Sequence, residues 1–350
     1  MLGTTHEWQG VQVTTVHDVA KKAGVAPITV SRVINNSGYA STATRERVLA
    51  AAEELGYVPN RLARGLRLNR SNMLALVLTD ITNPFWTTVA RGVEDAASEA
   101  GYTVMFCNTD ENEAKERRSL ERLLQQQVDG ILLVPALSKP DAVNFAQALD
   151  VPLVVLDRRM PGADVDVVRC DSEAGAYQLT RHLLDLGHQA IALLTGPVGT
   201  STADDRLAGY KRAMDEAGLS PSEHLVRRGT FTQESGYKQT SELLSLVGRP
   251  SAILAANNFI AVGVMQALRE HDYEVPMQMS VVAFDDLPQG LVVDPILTVA
   301  TQPAYEMARQ ATTLLLQRLA GTAAPGAQEI VLPTELILRR SSSSPAGHHL

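Results

Sequence analysis

The chain has 350 residues, 45% hydrophobic and 20% charged, enough to bury one large core or two medium ones. Its formal net charge of −8 argues against a polyanionic partner only until it is counted by segment: residues 1–70 hold nine Lys and Arg against five acids, so the head is +4 and the remainder −12. No run of 18 apolar residues exists to span a membrane, the start MLGTTHEWQG lacks the basic flank and apolar run of a secretory signal, and the two cysteines, Cys107 and Cys170, have no metal-ligand spacing, which predicts reduced thiols in a cytoplasm and neither metal nor cofactor.

Residues 1–12 read as a disordered tail. Thr15-Val16-His17-Asp18 has capping-box form: the threonine hydroxyl can accept from the Asp18 amide while the carboxylate reaches back. Val16, Val19, Ala20 and Ala23 then recur at one helix face, and Gly24 can end that helix. Pro27 suits the first position of a second helix, where its missing N–H would be unpaired anyway. Val30, Val33 and Ile34 supply that helix's buried side, leaving Ile28, Thr29 and Arg32 to point outward. After the loop Asn35–Gly38, a third helix is expected from about Ser41 to Leu55, with Gly56 at its C-cap. Two short helices around a Gly-bearing turn, then a third, read as a helix-turn-helix module over 13–58.

From Met73 the rhythm becomes strand–helix alternation. Apolar β-rich runs fall at Leu74–Leu78, Val104–Cys107, Gly130–Val134 and Leu153–Leu156, then at Ile191–Leu194, Ala252–Ala255 and Ser280–Phe284. Continuously apolar strands separated by helices predict parallel sheets covered on both faces, here two successive doubly wound α/β subdomains with a cleft between them over 71–340. Ligands bind beyond the carboxyl ends of such strands, where Asp80, Asn108, Asp157, Asn257 and Asp285 stand. No tandem repeat of fixed period appears beyond this rhythm. Residues 341–350 are polar and expected to fray.

The head elements D-V-A-x-x-A-G-V, T-V-S-R-V-x-N, T-R-x-R-V and L-G-Y-x-P-N-x-x-A-R-x-L, followed by D-I-T-N-P-F, C-N-T-D, V-D-G-I-L, D-R-L-A-G-Y, A-N-N, F-D-D and P-x-L-T, resemble the lactose-repressor (LacI/GalR) family of bacterial transcription regulators over about residues 13–340. The resemblance implies a periplasmic-binding-protein-like core that dimerises and holds a small effector, and a head that reads a pseudo-palindromic double-stranded DNA operator. The positions matching Pro27, Ile28 and Arg32 enter the major groove, where Arg32 can pair bidentately with guanine and Ile28 offers only apolar contact. Residues 59–70 match the family's hinge helix and linker; Leu62, Ala63 and Leu66 share a face too short to be stable alone, and Leu66 matches the leucine that wedges into the minor groove. The implied DNA-facing set is Thr15, Pro27, Ile28, Thr29, Ser31, Arg32, Asn35, Tyr57, Asn60, Ala63, Arg64 and Leu66. The chain departs from the family at Ala26, where Ser is usual, losing a helix-capping hydroxyl.

The implied effector set is Asp80, Phe85, Trp86, Asp157, Arg206, Phe231, Asn257 and Asp285. Arg206 matches the arginine that grips the effector, although a local pair with Asp205 competes for it. Carboxylates and amides beside an aromatic ring suit a sugar; Phe231 also matches a position that stacks on a purine in one member, so a purine- or nucleoside-responsive regulator is the alternative. Asn258 stands where the family usually has Asp. An enzyme or a ligand-binding protein without a DNA role is the remaining alternative. Asp285, Asp286, His182, His188 and Ser172 are available, but no G-x-S-x-G, H-E-x-x-H, Walker A or G-x-G-x-x-G motif occurs, and His188 after Gly187 reads as a helix-end cap. The end SSSSPAGHHL has no leucine heptad, so a homodimer is expected rather than a tetramer.

Overall fold

The computed structural model of the chain describes residues 14–57, 70–220, 222–287 and 296–345. They form two compact units that divide between Ser71 and Asn72.

The first unit contains α1 (Val16–Ala23), α2 (Pro27–Ile34) and α3 (Thr42–Glu54). Thr15 caps α1 as expected: its N–H donates to Asp18 Oδ2 at 2.8 Å and its hydroxyl to the same atom at 2.7 Å, which holds the Asp18 carboxyl below its ordinary range. Gly24, at φ +65°, ends the helix. Pro27 opens α2 behind Ala26, which offers no capping side chain. α3 ends one residue earlier than expected, at the C-cap Leu55; Gly56 follows at φ +57° and lets the Tyr57 N–H return to the Ala52 carbonyl at 2.8 Å. The buried faces of the three helices meet in a small core of Val19, Ala20, Ala23, Val30, Val33, Val48, Ala51 and Ala52.

The second unit runs β1 (Met73–Leu78), α4 (Pro84–Glu99), β2 (Thr103–Asn108), α5 (Glu113–Gln125), β3 (Gly130–Leu133), α6 (Asp141–Gln147), β4 (Leu153–Leu156), β5 (Asp166–Cys170), α7 (Ser172–Asp185), β6 (Ile191–Thr195), α8 (Ser201–Glu216), β7 (Val226–Arg228), α9 (Gln233–Leu244), β8 (Ala252–Ala255), α10 (Asn258–Glu270), β9 (Ser280–Phe284), β10 (Thr298–Thr301), α11 (Ala304–Ala320), β11 (Glu329–Leu332) and β12 (Glu335–Ile337). The strands form two six-stranded sheets of the same design, β11-β5-β4-β3-β1-β2 and β12-β10-β9-β8-β6-β7. Every pairing is parallel except β10 with β12. Their central strands are buried along their whole length because helices cover both faces.

Three expectations need correction. The subdomains are interleaved, not successive. α11 returns to the first subdomain and packs against α4, so closely that a Cβ on Gly92 would lie 2.6 Å from the Tyr305 carbonyl oxygen. β11 joins the first sheet and β12 the second. The chain therefore crosses between subdomains three times, at 170–172, 301–304 and 332–335. The strands absent from the sequence reading, β5, β7, β10, β11 and β12, are short or interrupted by charge, and β11 alternates exposed and half-buried residues at a sheet edge.

The expected fraying at 341–350 is likewise wrong for Ser341–Ser344. Ser341 is fully buried; its hydroxyl donates to the Val281 carbonyl at 2.6 Å and accepts from the Thr298 N–H at 2.7 Å, and its carbonyl accepts from the Val281 N–H at 2.8 Å. His188 is no exposed helix cap. It is 1% exposed, with Nδ1 2.8 Å from Ser251 Oγ and Nε2 2.8 Å from the Ser343 carbonyl oxygen, and burial lowers its pKa. Serines look like tail composition, yet here their hydroxyls satisfy backbone groups at a buried strand end. Ser341→Ala is expected to destabilise the protein by about 1–3 kcal/mol, since it leaves a buried N–H and carbonyl unpaired; urea unfolding checks this, and a frayed tail would show no change.

Candidate functional site

At the carboxyl ends of both sheets lies a cavity of about 300 Å³. All eight residues of the expected effector set line it: Asp80, Phe85, Trp86 and Asp157 from the first subdomain, Arg206, Phe231, Asn257 and Asp285 from the second. Asn108 stays out of the lining; its side-chain oxygen accepts from the Ile81 N–H at 2.8 Å and shapes the loop after β1.

Asp157 follows β4 and Asp285 follows β9, equivalent places in the two sheets. Both adopt left-handed backbone, φ +68° and +61°, and both N–H groups donate to the adjoining strand, Asp157 to Val168 at 2.9 Å and Asp285 to Ala300 at 3.0 Å. This turn aims each carboxylate into the cleft. Burial pushes the Asp157 carboxyl up to about 6 against the opposing pull of Arg206 and Arg158. Burial also raises Asp285, opposed by Arg206 and by the Gln302 amide, which donates to it at 2.8 Å.

Arg206, on α8, is 3% exposed. Its guanidinium lies 4.0 Å above the Phe284 ring and donates through Nη1 to the Ala256 carbonyl. The expected competitor, Asp205, turns away and pairs with Arg159. Arg206 is thus held for the cavity. Asn257 spends its side-chain oxygen capping α10, accepting from the Ile260 N–H at 2.8 Å, and its amide donates to the Phe231 carbonyl at 3.3 Å.

Three aromatic rings complete the walls. Phe85 and Trp86 meet edge to face, centroids 4.8 Å apart, at the start of α4. The Phe231 ring lies over Gly196, where any Cβ would collide with it. The sequence reading missed Thr79, Asn83, Asp110, Glu111, Arg158, Thr202, Thr230, Thr232 and Gln302 in the lining. Arg158 was detectable as the neighbour of Asp157, and Asp110-Glu111 as an acid pair closing β2; Gln302 was not, because β10 was not recognised.

Among the described residues, five residue pairs join across the cleft. Asn83 and Asn258 exchange amide hydrogen bonds at 2.9 and 3.0 Å. The Ser138 N–H donates to the Gly199 carbonyl at 2.9 Å, and the Ser201 N–H to Ser138 Oγ at 2.9 Å. The Arg159 N–H donates to Ser201 Oγ at 2.8 Å, and the Arg159 side chain pairs with Asp205.

Of the expected DNA-facing set, Pro27, Ile28 and Arg32 are exposed on α2, with Ile28 47% exposed. Thr29, Ser31 and Asn35 are half-buried; the Asn35 amide donates to Ser31 Oγ at 3.2 Å. The Thr15 hydroxyl is committed to its cap, and Tyr57 is half-buried against the helix core. Asn60, Ala63, Arg64 and Leu66 lie outside the described residues.

Residues 15–60 match the model for bacterial regulatory proteins of the lacI family, and residues 180–342 match the periplasmic binding protein-like domain. The chain is 36% identical to the HTH-type transcriptional regulator DegA of Bacillus subtilis over 94% of its own length and 98% of that protein. The chain belongs to the lacI family. The ribose operon repressor of Escherichia coli (strain K12) is also 36% identical, over 95% of this chain and all of that one. Among solved structures, the lac repressor dimer bound to operator and the anti-inducer ONPF superposes with a TM-score of 0.84 at 30% identity, covering 95% of this chain and 100% of that one. As a lacI-family member the protein is a DNA-binding transcriptional regulator, with a helix-turn-helix head and a ligand-binding core.

The Asp157 carboxyl is expected to titrate near 6 in carboxyl NMR. Arg206→Met should move that titration upward, because the guanidinium favours the ionised form. An unchanged midpoint would separate the two groups.

Proposed function

We propose that the protein is a cytoplasmic, homodimeric repressor of a carbohydrate-utilisation operon, that its core cleft binds an uncharged sugar without turning it over, and that this sugar controls operator binding. The lining carries the effector class. It holds five carboxylates (Asp80, Asp110, Glu111, Asp157, Asp285), two guanidiniums, four threonine hydroxyls and three aromatic rings. Carboxylates accept hydrogen bonds from sugar hydroxyls, and rings pack on the apolar face of a pyranose or furanose. A volume of about 300 Å³ sits at the low end for small-molecule sites, which run roughly 300–1,000 Å³, and suits a monosaccharide. One relative represses a ribose operon, which supports the sugar reading over the purine one carried by PurR-type relatives.

Two-fold symmetry places two copies of α2 on a pseudo-palindromic operator, with Arg32 against guanine and the Leu66 hinge wedging the minor groove between them. Effector contacts both subdomains, so it favours one arrangement of the cleft over the other; that preference becomes a change in operator affinity through the hinge.

A thermal-shift screen of neutral sugars, sugar acids, sugar phosphates, purines and nucleosides on the full chain tests the effector class. Stabilisation by a neutral sugar supports the reading; stabilisation by purines alone would transfer it to a purine-responsive regulator, and conversion of the sugar to product would replace it with an enzyme. Arg206→Ala should abolish the operator response to that sugar while leaving DNA affinity within about threefold, since the site and the reading head are separate. Arg32→Ala should weaken operator binding by about 1–3 kcal/mol and non-specific binding by much less, measured by titration on operator and scrambled duplexes.

A further inference from the structure

The lining contains a cation that has been made unavailable to ligands. Arg158 is the largest fully buried side chain among the described residues, with its side chain 2% exposed, yet it borders the cavity. A guanidinium has five N–H donors. Here Nη1 donates to the Pro135 and Ala136 carbonyls, and Nη2 donates to both carboxylate oxygens of Glu111, at 2.7 and 2.8 Å. Nε alone finds no partner, and it is buried away from solvent.

Glu111 is delivered to this position by two consecutive left-handed residues, Asp110 at φ +53° and Glu111 at φ +56°. Asp110 itself pairs with Lys115. The second cation, Arg206, lines the same cavity as Asp157 and Asp285. An incoming carboxylate or phosphate therefore meets five carboxylates against two guanidiniums, one of them already paired with Glu111, in a confined space where like-charge repulsion is least screened.

We propose that the Glu111–Arg158 pair sets the charge selectivity of the cleft: the Glu111 carboxylate reserves the site for uncharged sugars by occupying the Nη2 edge of Arg158, and its removal admits acidic sugars. This rests on the sugar reading above and goes beyond it by naming the residue that separates neutral from anionic effectors. Once Glu111 is neutralised, the charge of a fixed, buried guanidinium at the cavity is left unmatched, and truncating Glu111 to alanine also frees the two Nη2 N–H donors, which makes an anion site.

The test uses the full chain with three pairs of probes: glucose and glucuronate, galactose and galacturonate, ribose and ribose 5-phosphate. Thermal shift and calorimetric titration are run on the wild type, Glu111→Gln, Glu111→Ala and Glu111→Asp. The wild type and Glu111→Asp are expected to prefer the neutral member of whichever pair binds. Glu111→Gln and Glu111→Ala should move that ratio toward the acid by about tenfold or more. These two variants should also melt lower than the wild type without ligand and recover on adding the acid, because the anion replaces the missing partner. A wild type that binds the acid more tightly than its neutral counterpart overturns the proposal. So does an unchanged ratio in both neutralised variants when circular dichroism shows them folded. A neutral sugar that stabilises the wild type, with the ratio unmoved in the variants, overturns only this assignment; no stabilisation by any sugar overturns the sugar reading with it.

Discussion

Two buried carboxylates from two different sheets line one cavity with a buried guanidinium whose charge acts on both, and the site depends on that arrangement. Asp157 and Asp285 sense each other as well as Arg206. Alone, two such acids in a dry cleft would resist ionising together, and one would hold a proton. Arg206 offsets this, and the cation is itself fixed by the Phe284 ring below it and the Ala256 carbonyl beside it. The acids remain costly to ionise, which is why burial dominates both shifts. A ligand that donates hydroxyls to these carboxylates supplies hydrogen bonds to groups whose burial makes their charge costly, which favours its binding.

That geometry follows from a repeated design. The two sheets have the same strand order once β1 is set against β6, β2 against β7, and so on to β11 against β12. Asp157 and Asp285 occupy matching places, reached by the same left-handed turn and the same hydrogen bond to the next strand. The repeat is invisible as a sequence period because it is carried by topology, and the two halves exchange their last elements through the three crossovers. Those crossovers place the subdomains side by side on short tethers, so the cleft is built between two halves of matching strand order.

What could be read in advance was whatever a local rule dictates. The capping box at Thr15, the proline start of α2 and the apolar central strands all follow from short-range chemistry, and all appear. The eight cleft residues were legible from motif resemblance and from the principle that ligands lie beyond strand carboxyl ends. The failures share a different cause. Edge strands such as β11 are half exposed and lack the apolar run that marks a buried strand. The serines at 341–344 have tail-like composition, and only the fold reveals the unsatisfied backbone groups that they meet. Glu111 and Arg158 pair across 47 positions of sequence, so neither residue announces the other.

The contacts across the cleft are suited to a regulator because they are modest. The Asn83–Asn258 exchange and the Ser138–Ser201 and Arg159–Ser201 bonds are mostly neutral, each with a net worth of about 0.5–1.5 kcal/mol. The Arg159–Asp205 pair involves a partly exposed arginine, so solvent screening holds it near the 0–1 kcal/mol of surface pairs. Together they align the subdomains without locking them. A coupling of about 1–3 kcal/mol from a bound effector then matches two or three of these contacts and can shift the balance. The amide at Asn258 matters to this balance. A carboxylate there, the family's usual choice, could accept from Asn83 but could not donate in return, and one of the two hydrogen bonds would become an oxygen–oxygen repulsion. With Asn at both positions the exchange is reciprocal and uncharged, so it joins the halves without adding a further buried charge to a cleft already rich in acids.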